Sequence, residues 1–223
     1  MQEAGFFDRL RQAAGPVWDD YVDHAFIAGI ADGSLPEPAF RHYLGQDYLF
    51  LLQFARAYAL AVYKSDSLED MRAEAAGMSA ILDVETHLHV TFCAGWGLDE
   101  AAMAGLPEDP ACIAYTRFVL ERGMAGDILD LHVALSPCII GYAHIGRRLA
   151  ADPATKMAGN PYADWIAMYA GDDYQEVAAA AEARLNKIAK QRGGEARFAS
   201  LSRDFSAATL LEVGFWQMGL ERA

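Results

Sequence analysis

Three residues of this 223-residue chain have types and settings that could do chemistry: Cys138, Asp47 and Glu212. Cys138 follows Pro137 in "SPCIIGYAHIG" (136–146). A proline cannot donate its N–H and its ring clashes with the carbonyl one turn back, which predicts a kinked helix with loosened packing beside Cys138. Tyr142, four residues on, shares its helix face. Ionised, the sulfur would be a nucleophile; protonated, it would be a small hydrophobe, the ordinary state of an isolated buried cysteine. Nothing local activates it. It sits mid-helix, and His132 and His144, six residues to either side, point to other faces. Any activation must come from another helix.

Asp47 interrupts the apolar stretch "FRHYLGQDYLFLLQFAR" (40–56), with Tyr43 and Phe50 on its face. A carboxylate in such surroundings must be paired or hydrogen-bonded. It is either half of a structural ion pair or the anchor of a ligand in an aromatic pocket. Glu212 does the same in "ATLLEVGFWQMG" (208–219), ahead of Phe215 and Trp216. Two carboxylates in different environments can divide binding from proton transfer. "CIAYTRFVLERG" (112–123) and "YADWIAMYAG" (162–171) supply Tyr115, Tyr162, Trp165 and Tyr169, rings that are core residues or the walls of a slot for a flat heterocycle. Glu85 and His89 stand at i, i+4 in "ILDVETHLHVTF". Di-iron bundles use Glu-x-x-His on two helices; here the spacing differs and is not repeated, so a hydrogen-bond network competes with a metal site.

The elements that must position these groups are helical. Apolar residues recur at helical period through segments around 3–31, 38–63, 68–94, 110–124, 127–151, 161–170, 173–191 and 195–221, with Gly, Asp or Pro at the junctions. Pro38 suits a first turn, and Ser67 with Asp70 resembles a capping box. No stretch alternates convincingly enough for a strand. The expectation is one all-α domain over 1–223, of about eight helices. Segments such as "YLFLLQFARAYALAVY" (48–63) are apolar nearly all round, as at a bundle centre or subunit interface, which predicts an oligomer.

Lys and Arg total 18 against 31 Asp and Glu, a formal charge of −13. So acidic a chain repels phosphate backbones and anionic lipid, which disfavours nucleic acid and membrane partners. The apolar run from Leu131 to Gly146 falls short of the ~18–20 residues a bilayer span needs. The N-terminus "MQEAGFFDRLRQ" has no signal-peptide pattern, and the dispersed Cys93, Cys112 and Cys138 make no C-x-x-C, which together predict a cytoplasmic setting. Dinucleotide, P-loop, nucleophile-elbow and H-E-x-x-H motifs are missing.

Taken in order, "GIADGSLPEPAFRHYLGQDYLFLLQFAR", "ILDVETHLH", "YTRFVL", "LSPCIIGYAHIG", "NPYADWIAMYAGDDY" and "LLEVGFW" resemble the TenA family (thiaminase II, aminopyrimidine aminohydrolase) over nearly the whole chain. The resemblance implies a haem-oxygenase-like helical bundle, commonly tetrameric, that uses no metal or organic cofactor. It implies hydrolysis of 4-amino-5-aminomethyl-2-methylpyrimidine, or of thiamine, in thiamine salvage. It places the nucleophile on Cys138, the acid/base on Glu212 and the pyrimidine anchor on Asp47. Tyr115, Tyr142, Tyr169 and Phe215 would line the ring slot. Phe50 stands where well-known members carry tyrosine, so the hydroxyl is lost there. Cys138 puts the chain in the cysteine-containing branch. Two other functions fit parts of the pattern: a non-catalytic pyrimidine carrier, which has no use for the thiol, and a metal-dependent oxidase using Glu85, His89 and other histidines.

Overall fold

A computed structural model describes residues 4–82 and 86–222. All regular structure among them is helical. In order the helices are α1 (Phe6–Ala14), α2 (Pro16–Val22), α3 (Ala25–Asp32), α4 (Glu37–Lys64), α5 (Leu68–Ala80), α6 (Thr86–Ala94), α7 (Glu100–Ala104), α8 (Pro110–Ala125), α9 (Ile128–Ala151), α10 (Ala163–Ala170), α11 (Asp172–Gln191) and α12 (Gly194–Leu220).

One sequence expectation needs correction. The segment at 3–31 is three helices, not one. Gly15 adopts φ 53° and Pro16 restarts the chain as a first helical residue. His24 then caps α3, its Nδ1 accepting from the Phe26 N–H at 3.2 Å. The apolar face survives the breaks, because Phe7, Leu10 and Tyr21 are all buried. Pro137 is where the sequence predicts a kink in a helix over 127–151. Helix α9 runs unbroken through it. The carbonyl that the missing N–H would have served, that of Val133, accepts instead from the Ser136 hydroxyl at 2.9 Å. A neighbouring side chain thus satisfies the orphaned acceptor and spares the helix the cost of leaving it buried and unbonded.

Helix α9 packs against α4, α8, α10, α11 and α12. It is long and apolar enough, by length and composition, to cross a membrane, yet most of it is buried inside the bundle. Two glycines on α9 set the distances of its neighbours. A Cβ on Gly146 would lie 2.5 Å from the Tyr169 backbone, so only glycine lets α10 approach this closely. A Cβ on Gly141 would lie 2.6 Å from the Tyr21 ring, whose hydroxyl donates to the Pro137 carbonyl at 3.2 Å. Helix α5 is fastened from beneath. Glu74 accepts at Oε1 from Arg184 Nε on α11 at 2.8 Å and pairs with His132 Nε2 on α9 at 3.0 Å. Arg184 also pairs with Asp70.

The buried apolar side chains form one contiguous core. At its centre Trp216 stacks on Tyr21 and Phe26 and touches Tyr43 and Tyr142. Each such ring pair adds about 0.5–1.5 kcal/mol beyond simple burial.

Candidate active site

Helices α4, α8, α9, α10 and α12 bring together every residue that the sequence singled out for the site. A continuous chain of ring contacts runs through them. Tyr169 touches Tyr142 at 4.9 Å, and Tyr142 touches Trp216 at 5.2 Å. Trp216 meets Tyr43 at 5.3 Å, and Tyr43 meets Phe215 at 6.0 Å. Phe215 lies 5.6 Å from Phe50, which lies 5.0 Å from Tyr115. The two carboxylates join this chain from different helices, Asp47 from α4 beside Tyr43 and Glu212 from α12 beside Tyr115.

Glu212 is 1 % exposed and accepts from the Tyr115 hydroxyl at 2.8 Å. Burial raises its pKa to about 8; the Tyr115 bond opposes the rise and the charge of Asp47 adds to it. At neutral pH this carboxyl therefore holds its proton. Asp47 is bonded at Oδ2 from two sides. The Tyr43 hydroxyl donates to it at 3.1 Å, and His89 Nε2 on α6 lies 2.6 Å away. Trp165 Nε1 in turn donates to the Tyr43 hydroxyl at 3.4 Å. Burial, above all, pushes the hydroxyls of Tyr21, Tyr43, Tyr115 and Tyr142 well above the ordinary tyrosine value, so they act as donors.

Cys138 is half-buried against the core, and a charge on it is felt by the hydroxyls of Tyr21 and Tyr115. The other two cysteines are fully buried, and burial pushes their thiols up to about 11 for Cys93 and about 12 for Cys112. They are core thiols. Of the three, Cys138 alone is both partly accessible and beside the Glu212 carboxyl's hydrogen-bond partner.

Cavities flank the cluster on two sides. One of about 410 Å³ is lined by Leu44, His89, Phe92, Asp164, Trp165 and Met168. Another of about 610 Å³ lies between α4, α5, α9 and α11, with Phe54, Ile139, Met168 and Tyr174 in its walls. Phe50, packed between Phe54, Tyr115 and Phe215, stands on the second side.

Tyr21 and Tyr43 belong to this constellation although the sequence does not mark them as site residues; Trp165, read there as a ring of the slot, and His89, read there as a metal-ligand candidate, join it as hydrogen-bond partners of Tyr43 and Asp47. Tyr43 was visible as Asp47's neighbour one turn back. The His89–Asp47 bond was not, because 42 residues separate its ends and no periodicity spans them. Glu85, paired with His89 in the sequence as a possible metal ligand, lies outside the described residues. Among those described, no three metal-ligating side chains come together.

An all-α bundle with two buried carboxyls and a half-buried thiol among its core rings is the class that fold and site define. The profile of the TENA/THI-4/PQQC family matches residues 11–222, and the chain belongs to that family. Its similarity to an aminopyrimidine aminohydrolase of Halalkalibacterium halodurans is 32 % identity, over 96 % of this chain and 94 % of that one. An uncharacterized protein of Haemophilus influenzae is 37 % identical over 97 % of this chain and 99 % of its own length. Among solved structures, a TenA family transcription regulator from Silicibacter sp. TM1040 superposes with a TM-score of 0.91 at 44 % identity, covering 96 % of both chains. A haem-oxygenase-like domain from Shewanella denitrificans shares the fold at a TM-score of 0.74.

Proposed function

We propose that this protein is an aminopyrimidine aminohydrolase that converts 4-amino-5-aminomethyl-2-methylpyrimidine and water to the 5-hydroxymethyl pyrimidine and ammonia. The observation that carries the reading is Glu212. It is a buried carboxyl kept protonated near neutral pH, held by Tyr115, in the same aromatic cluster as a partly accessible thiol and an anchored aspartate.

The chemistry follows from what each group can do. The aromatic ring resists direct displacement at its 5-methylene. Attack of the Cys138 thiolate forms an Sγ–C6 bond and pushes the ring electrons toward the N3 side, where Asp47 faces N3 and the 4-amino group. Those electrons then return and break the methylene C–N bond. Glu212 gives its proton to the departing amine. Water adds to the exposed methylene and its proton passes to Glu212. The Sγ–C6 bond breaks last and aromaticity is restored. One hard displacement becomes several easier steps. Tyr142, Tyr169 and Phe215 hold the ring plane. Thiamine, with its thiazolium on the same methylene, is the second substrate of this scheme, and the reaction class is thiamine salvage.

Exposed apolar side chains such as Tyr63, Leu68 and Met124 support an oligomer, which we take as a tetramer, and the dispersed cysteines support a cytoplasmic setting. The decisive test is incubation of the purified protein with the aminomethyl pyrimidine, with ammonia and the hydroxymethyl product quantified together. Stoichiometric appearance of both is expected. Binding of the pyrimidine without ammonia release would leave a carrier instead of an enzyme.

A further inference from the structure

Helix α10, which carries Trp165 and Tyr169, has only 8 residues, too few to be stable alone. Two features hold it against α9. Glycine at 146 lets the Tyr169 backbone come close, and the side chain of Gln175 on α11 fastens it there. Gln175 Nε2 donates to the Tyr169 carbonyl at 2.8 Å and to the Ala143 carbonyl on α9 at 2.9 Å. Both partners are acceptors only, so the NH₂ end of the amide is the end that faces them. The Tyr169 carbonyl is among the last four of its helix, which have no N–H one turn on. Ala143 follows Tyr142 in the chain. One amide therefore ties together the backbones that carry Tyr142 and Tyr169, whose rings lie 4.9 Å apart. The residue before Gln175 acts on the same ring, because Tyr174 meets Tyr169 edge-on at 4.7 Å. The first turn of α11 thus grips Tyr169 at its ring and at its carbonyl.

In the reaction proposed above, Tyr142 and Tyr169 hold the pyrimidine plane against the Cys138 thiolate, and the inference drawn from Gln175 rests on that reading. Attack on C6 needs the ring within reach and correctly inclined, and a displacement of 1 Å can cost about 10²-fold. The two helices that meet at this pair must therefore keep a fixed spacing. Gly146 permits the close approach but does not set it. Two hydrogen bonds from one planar amide do.

We propose that Gln175 is a positioning residue for the ring slot: its side-chain amide sets the spacing of α9 and α10 and so fixes the Tyr142–Tyr169 pair. It acts through the two rings and not on the reacting atoms.

Gln175→Met keeps the length and nearly the volume of the side chain and removes both donors. Per folded molecule, affinity for the hydroxymethyl pyrimidine should fall about 10-fold. Turnover at saturation should fall about 10²-fold. Gln175→Lys restores N–H donors and should recover most of both. A third measurement needs no pyrimidine. With 3-fluorotyrosine in place of tyrosine, the fluorine resonances of Tyr142 and Tyr169 should move in Gln175→Met, while that of Tyr63, which is 83 % exposed, should not. If Gln175→Met does not fold, Gln175→Asn, whose amide stops one methylene short of both carbonyls, carries the same expectations. A lower melting temperature with native affinity and turnover would overturn the proposal and leave Gln175 a fastener only. So would an equal loss in Gln175→Lys, or unmoved Tyr142 and Tyr169 resonances. Should the native protein neither bind the pyrimidine nor release ammonia, the proposed function itself falls, and the fluorine resonances alone then decide on Gln175.

Discussion

Glu74 and Glu212 are two carboxyls buried to the same degree, at 2 % and 1 % exposure, that titrate in opposite directions. Glu74 sits between α5, α9 and α11 with Arg184 at 2.8 Å and His132 at 3.0 Å on one oxygen. Burial works against its charge, but the hydrogen bonds and charges of His132 and Arg184 outweigh it and hold the pKa below the ordinary value. Glu212 has a tyrosine hydroxyl and a like-charged neighbour, so burial wins and the pKa rises to about 8. Burial alone therefore does not mark a functional carboxylate. The identity of the partner does: a guanidinium makes a fastener, and a neutral donor leaves an acid able to give up its proton near neutral pH.

The contrast can be broken from the chamber side first. Cys138→Ala and Cys138→Ser should abolish ammonia release almost completely, because a hydroxyl or methyl cannot replace a thiolate nucleophile. Product affinity and melting temperature should hold, since Cys138 is only half-buried. Wild-type hydrolysis by Cys138→Ala would return it to the status of Cys93 and Cys112.

Glu212→Gln keeps the Tyr115 contact and removes the transferable proton. We expect a loss of roughly 10²–10⁴-fold in turnover. The native rate should decline as pH rises through about 8, where Glu212 loses its proton, and that limb should vanish in the variant. Stability should respond as well. Between the ordinary value of 4.5 and about 8 the folded chain keeps a proton that the unfolded chain has released, so this group's contribution weakens as pH rises. Glu74 behaves inversely, its stabilisation present above the ordinary value and lost as pH falls through the lowered one. A denaturation series across pH in native, Glu212→Gln and Glu74→Gln proteins checks both signs.

Glu74→Gln itself should leave Arg184 and His132 short of a counter-charge and cost about 3 kcal/mol of stability, the low end for a broken buried pair, since Asp70 still serves Arg184. Turnover per folded molecule should change little, as urea midpoints and kinetics on the same samples will reveal. A large loss of turnover at unchanged stability would erase the distinction drawn between the two glutamates. The smallest effect is expected from Phe50→Tyr. Its ring is walled by Phe54, Tyr115 and Phe215, and a hydroxyl left unbonded there would cost roughly 1–3 kcal/mol. If the chamber offers it a partner, turnover should rise or hold with no loss of melting temperature. A lower melting temperature without a gain in rate would show that the space has been filled by packing.

How much of this was legible beforehand depends on the range of the interaction involved. Helices α4, α8, α9, α11 and α12 fall within a few residues of their sequence-read bounds, because apolar period and capping chemistry act over one or two turns. The Ser67 cap is there, its hydroxyl accepting from the Asp70 N–H at 3.0 Å. The division of the first helical segment was missed, since its apolar face continues across Gly15 and the break rests on one backbone dihedral. At Pro137 the helix continues, and the carbonyl left without its N–H is taken by a hydroxyl one residue away.

By itself the sequence determined that the chain is helical, acidic and rich in aromatic rings, and that Asp47, Cys138 and Glu212 each interrupt an apolar face at a point where a carboxylate or thiol needs an explanation. Those are properties of composition and of contacts within one helix. Only the tertiary structure decided that Tyr115, 97 residues away, bonds Glu212, that His89 bonds Asp47, and that Glu74 has an arginine where Glu212 has none. The protonation state of a buried acid depends on the charges and donors within a few ångströms of it, and in a bundle those come from other helices, whose approach is set by packing.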